Sequence, residues 1–158
     1  MSRPAVEVRA PTPADLTHLA RNLRAQDRAE LDASGWADYA HALDVATKTS
    51  RWSRVALIDG ELACVFGCAE RGSLLAPIGV PWLLGTDVLP RHRRVLQQQA
   101  RRYIAAMLQE YPRLFNAVHA DNSVSVHWLK RLGFTMHPAI PVPPHGAMFH
   151  VFEISRHV

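Results

Sequence analysis

The pair Asp59-Gly60 constrains this chain more than any other feature. It separates two β-rich runs, 53-SRVALI-58 and 61-ELACVFGCA-69. Asp-Gly between apolar runs favours the two-residue turn whose twist matches paired antiparallel strands. A hairpin is therefore expected here, and the hydrophobic period changes from helical to extended at this point. Before it, residues 14–27 place Leu16, Leu19, Ala20 and Leu23 on one helical face. Residues 36–47 do the same with Trp36, Tyr39, Ala40, Leu43 and Ala46. A short alternating strand, 6–9, opens the pattern. Pro11-Thr12-Pro13 breaks it, and Thr12 or Asp15 can cap the helix that follows.

A third strand is expected over 79–89, apolar through Trp82-Leu83-Leu84. Residues 93–110 form the longest helix, with Leu96, Ala100, Tyr103, Ile104, Met107 and Leu108 as its apolar stripe. Tyr111-Pro112 ends it, because proline pushes the preceding residue out of helical geometry. A strand at 114–120, a helix at 122–132 and strands at 134–137 and 148–154 follow. The proline-rich loop 138–146 joins the last two and suits either a long connection or a stiff recognition surface. This order implies one α+β domain over 1–158, a mixed, mostly antiparallel sheet flanked by helices. A chain of this length buries ~70% of its unfolded surface, enough for a real core.

Composition excludes several classes. A 48% apolar and 20% charged chain is an ordinary globular protein, and a net charge of +4 makes it mildly basic. No apolar run approaches the ~20 residues of a membrane span, so no membrane partner is expected. No secretion signal is legible, and the expectation is a soluble, cytosolic protein. Cys64 and Cys68 lie four apart on one strand, hence on the same face, too far apart to bridge. Buried free thiols are expected. Nine histidines include no His-x₃-His pair, and no Cys-x₂-Cys pair exists, so no metal site is expected.

The segment 121-DNSVSVHWLKRLGF-134 and the order of elements resemble the GNAT acetyltransferases. That resemblance implies a strand leading into a helix whose first amides hold the acetyl-CoA pyrophosphate. The physics of such a grip is a set of converging N–H groups reinforced by the helix dipole. Here the matching turn is 90-PRHRRVLQQQ-99. The family's glycine positions fall on Leu96 and Gln98, and Leu96 is expected to project towards a phosphate. The tyrosine that protonates the leaving thiolate in many members falls on Leu129, which cannot transfer a proton. His127 and Ser125 are the nearest alternatives, and His127 points to another face. If acyl-CoA binds, Arg91, Arg93 and Arg94 hold its phosphates and Asn122 orients the pantetheine arm. Asn122 also suits a helix cap. His119 reads as a polar residue satisfied at a sheet edge, with a catalytic base as the sharper alternative. Trp82, in an apolar strand, reads first as core.

A second set of phrases, "PWLLGTD", "YPRLFNAVHADN", "WLKRLGF" and "FHVFE", is similar to phage proteins related to the internal virion protein A family. That resemblance implies a GNAT-like fold with a structural or interaction role in virion assembly. It implies phage structural proteins as partners, symmetric copies within a particle, and a location in the bacterial host cytoplasm and the virion. On this reading no cofactor is bound. Arg91, Arg93, Arg94, Arg101 and Arg102, uninterrupted by any acidic residue between Asp87 and Glu110, would face an acidic partner surface or simply water. No aromatic residues interleave with them, which argues against nucleic acid. The alternative is an acetyl-CoA-dependent N-acetyltransferase of the GNAT class.

Overall fold

A computed structural model of the chain describes residues 2–157. The elements run β1 (Val6–Arg9), α1 (Pro13–Arg21), α2 (Ala25–Ala33), α3 (Tyr39–Thr49), β2 (Ser50–Ile58), β3 (Glu61–Ser73) and β4 (Ala76–Gly85). A 3₁₀ turn over Leu89–His92 leads into α4 (Arg93–Glu110). Then come β5 (Arg113–His119), α5 (Ser123–Arg131), β6 (Thr135–Met136), β7 (Ile140–Val142) and β8 (Ala147–Ser155). The strands form one sheet in the order β1-β2-β3-β4-β5-β8-β6, with β7 also on β8. All pairs are antiparallel except β4–β5. The expected α+β domain with a mostly antiparallel sheet is what forms.

The Asp59-Gly60 turn closes β2 onto β3, with φ of +51° and +82°. Both central residues are left-handed, as a mirror-image turn requires, and glycine takes that conformation without steric cost. The turn also ties down β1: Asp59 N–H donates to Ala5 O, and Ala5 N–H donates to Asp59 Oδ1.

Three departures from the sequence pattern shape the site. The helix expected over 14–27 is two helices, broken at Asn22-Leu23-Arg24, so α2 is an additional element. The third strand ends at Gly85 rather than 89, because residues 86–88 turn the chain into the 3₁₀ segment that begins at Leu89. The proline-rich loop contains β7, paired with β8 at its Ile140–Phe149 and Val142–Ala147 positions.

Side chains alternate across the sheet. One face packs Val55, Val65, Trp82 and Leu84 against Leu19, Leu23 and Leu43 of the α1–α3 layer. The other packs Cys68, Leu114, Val118 and Phe152 against Met107 of α4 and Leu129 of α5. Cys64 and Cys68 are free, buried and on this second face. Burial pushes both thiols up to about 12. Native protein is therefore expected to leave both unmodified by a thiol reagent at neutral pH, and urea is expected to release both.

At the start of α1, Thr12 and Asp15 form a reciprocal capping box, and Asp15 also accepts from Arg9 Nη1 at 2.6 Å. The Arg9 guanidinium holds the Asp15 carboxyl down at about 2. A depressed carboxyl contributes stability above its unfolded value near pH 4, and that stability is lost as pH falls towards 2. Arg9 is 36% exposed, so solvent screens part of the effect. Asp15→Asn is expected to lower the urea midpoint at pH 7 and to flatten the acid limb between pH 4 and 2.

Candidate functional site

β4 and β5 run parallel but touch at one register position, Gly79 opposite Leu114. Closeness there depends on glycine. A Cβ on Gly79 would lie 2.6 Å from Leu114 Cδ2, 2.8 Å from Tyr111 Cδ2 and 2.9 Å from Cys68 Sγ. Beyond this contact the two strands part towards their C-terminal ends.

Main-chain groups show what the gap offers. Alternate residues of a strand turn their N–H and C=O to opposite edges. Gly79 faces β5, so Pro81, Leu83 and Gly85 do too. Pro81 has no N–H, and its C=O accepts from Asn116 Nδ2 at 2.8 Å. Gly85 N–H donates to Asp27 Oδ2 at 2.7 Å, and Gly85 O accepts from Arg24 N at 2.9 Å. Leu83 stands between them, on the edge that faces β5 but outside the single β4–β5 register pair. Across the gap, Ala117 N–H donates to Asn116 Oδ1 at 2.8 Å, and His119 N–H donates to Glu30 Oε1 at 3.0 Å. The Asn116 carboxamide is thus a wedge that satisfies both strands where they diverge.

Helix α2 spans the wide end. Asp27, buried and paired with Arg24 at 2.7 Å, holds the tip of β4. Glu30, one turn on, holds the tip of β5 and accepts from Asn122 Nδ2 at 3.0 Å. Burial raises the Glu30 carboxyl above its ordinary range. The cleft encloses about 640 Å³, and its lining comes from both faces of the sheet. Trp36 and Val45 line one side, Leu96, Tyr103 and Trp128 the other, and Leu83 and Ala117 lie between. A smaller concavity of about 510 Å³ lies beside α1, lined by Asp15, Glu61, Asp87 and Arg91. Its three carboxylates disfavour an anionic ligand.

The residues singled out in the sequence take distinct places. Arg93 and Arg94 are exposed in the first turn of α4, which no side chain caps, and Arg93 lines the cleft. Arg91 is exposed, 3.5 Å from Glu61, in the smaller concavity. Asn122 caps α5 by accepting from Ser125 N and gives its amide to Glu30, so both ends of its side chain are engaged. The His119 ring accepts from Asp121 N, and His127 is exposed. Trp82 is half-buried core, its indole donating to Ser50 Oγ at 2.7 Å. Thr86 pins the turn after β4 through Leu62 O and Val88 N. Leu129 is a core residue. Leu96, expected to face the anion, packs instead against the cluster of Cys64, Val88 and Leu89. The helix puts it on the apolar stripe, so it leaves the first turn of α4 open. Among the described residues no cluster of metal-ligating side chains occurs.

Many solved structures superpose on this architecture over nearly its whole length. A GCN5-related N-acetyltransferase from Kribbella flavida is 20% identical, covering 96% of this chain and 98% of that one, with a TM-score of 0.70. The fold is that of the GNAT acetyltransferases. Ard1 from Thermoplasma volcanium superposes with a TM-score of 0.70 at 13% identity, over 98% of this chain and 99% of that one. RimL, a ribosomal L7/L12 alpha-N-protein acetyltransferase in complex with coenzyme A, gives 0.65 at 13% identity, over 95% and 93%. No protein-family model matches the chain, and no curated protein does. The virion-family expectation therefore gains no support. The expected absence of a cofactor is corrected: a match of this fold holds coenzyme A. The residues present also fit such a group, since a strand edge is left unpaired at Leu83 and the neighbouring helix start is uncapped and flanked by arginines. No described helix is long and apolar enough to cross a membrane.

Proposed function

We propose that the chain is an acyl-CoA-dependent N-acyltransferase. The edge of β4 at Leu83, which has no register partner on β5 and lies between Pro81 and Gly85, carries this reading. A thin amide-bearing chain can take that edge as a third strand, as β-augmentation does in peptide recognition. Acetyl-CoA, when bound, supplies the thioester. The Leu83 N–H then sits as a preorganised donor for a carbonyl oxygen that gains charge during attack. Arg93, with Arg94 beside it in the first turn of α4, meets the phosphates through charge-assisted contacts, replacing glycine-framed amides, while Arg91 faces Glu61 instead. Asn122 acts through Glu30, which its amide orients. The outward arginines of α4, Arg94, Arg101 and Arg102, have no carboxylate partner among the described residues and suit an acidic partner surface.

Calorimetric titration with acetyl-CoA tests the reading. Saturable micromolar binding is expected, weakened about tenfold or more in an Arg93→Ala/Arg94→Ala double variant. No heat and no thermal shift at millimolar acetyl-CoA would remove it.

A further inference from the structure

The two sides of the cleft differ in chemistry, and the difference identifies an acceptor. On one side stand Arg93 of α4 and Arg131 of α5. On the α2–α3 side the walls are Leu31, Trp36, Val45, Ala46 and Trp82, with Glu30 among them. Asp27 is neutralised there by Arg24, but no cation lies within ion-pair distance of Glu30 among the described residues. Its Oε1 is saturated by His119 N and Asn122 Nδ2, each at 3.0 Å. Its Oε2 has no protein partner. Among the described residues no fully buried side-chain oxygen or nitrogen lacks one, so Oε2 is not sealed in the protein, and Glu30 is among the residues that line the cleft. A carboxylate with one oxygen fixed and the other facing an apolar cavity wants a cation that can donate hydrogen bonds.

We propose that this side of the cleft binds a primary amine carried on an apolar, aromatic-sized body, with Glu30 holding the ammonium and taking its proton. The proposal rests on the acyltransfer reading above. Trp36 and Trp82 supply flat apolar walls for the body, and burial raises the Glu30 carboxyl above its ordinary range, which favours its taking a proton. Once one proton passes from the ammonium to Glu30, the amine lone pair forms a C–N bond at the thioester carbonyl carbon and the C–S bond breaks. The second proton lost by the nitrogen leaves with the sulfur as the thiol. Glu30 returns its proton to water. No tyrosine is required for this balance, which accords with Leu129 in the core.

The test follows thiol release from acetyl-CoA with 2-phenylethylamine and, separately, with glutamate. Wild-type protein is expected to acetylate 2-phenylethylamine saturably and to ignore glutamate, whose carboxylates oppose Glu30. Glu30→Gln keeps an acceptor oxygen for His119 and Asn122 but cannot take the proton. It is expected to bind acetyl-CoA within twofold of wild type while losing about 100-fold or more in kcat/KM for the amine. Acetyl-CoA binding without any transfer to 2-phenylethylamine would overturn the acceptor proposal alone, as would full activity in Glu30→Gln. Failure to bind acetyl-CoA at all would overturn the acyltransfer reading and this proposal with it. Should Glu30→Gln fail to fold, the wild-type preference between the two amines decides the matter.

Discussion

Asp27→Ala is expected to destabilise the protein by about 3–5 kcal/mol, the cost of stranding a buried charge whose partner is removed. Asp27 has a side chain only 3% exposed, and it answers two donors at once: Arg24 Nε and Gly85 N, both at 2.7 Å. Truncation leaves a half-buried guanidinium and a buried main-chain N–H without acceptors. It also frees α2 from the tip of β4, so the wide end of the cleft loses one of its two braces. Asp27→Asn retains an acceptor for Gly85 but not the charge facing Arg24, and its loss should be smaller. Urea unfolding of the three proteins at pH 7 measures this directly. A loss under about 1 kcal/mol for Asp27→Ala would mean that the brace does not carry load.

The second large effect is expected at Gly79→Val. Three buried atoms stand within 3 Å of a Cβ at this position, and valine adds two methyl groups beyond it. Overpacking of this severity costs about 3 kcal/mol, near the top of its ordinary range. The atoms belong to Leu114, Tyr111 and Cys68, so the strain falls where β4 and β5 meet and where α4 hands over to β5. Acyl-CoA binding should weaken as well, because the divergence of the strands is referenced to that contact. A Gly79→Val protein with unchanged stability would show that β4 and β5 are not held together there.

Local chemistry made much of this fold legible. Asp59-Gly60 set its hairpin, Arg93 to Pro112 bounded the long helix, and Asn122 capped α5, because in each case the deciding partner lies within a few residues. The apolar stripe of α4 already contained Leu96, and that stripe, rather than the alignment to a glycine, set its direction.

The site itself was far less legible. The buried residue of α2 is a carboxylate, so hydrophobic periodicity has little to report there. Asp27 meets Gly85 across 58 residues, and Glu30 meets Asn122 across 92. Asn116 reads as an ordinary strand residue until Pro81, 35 residues earlier, is known to lie opposite. One local signal was present: a proline inside an apolar strand marks a place where a ladder cannot continue.

The central claim is that the open edge of β4 at Leu83 receives the acyl-CoA. Backbone amide resonances followed by NMR during an acetyl-CoA titration test it most directly. The largest saturable shifts should fall on Leu83, Gly85 and Ala117 and on the first turn of α4 from Arg93, with β1 and β6 unmoved. Shifts confined to the exposed arginines, or absent at millimolar acetyl-CoA, would contradict it.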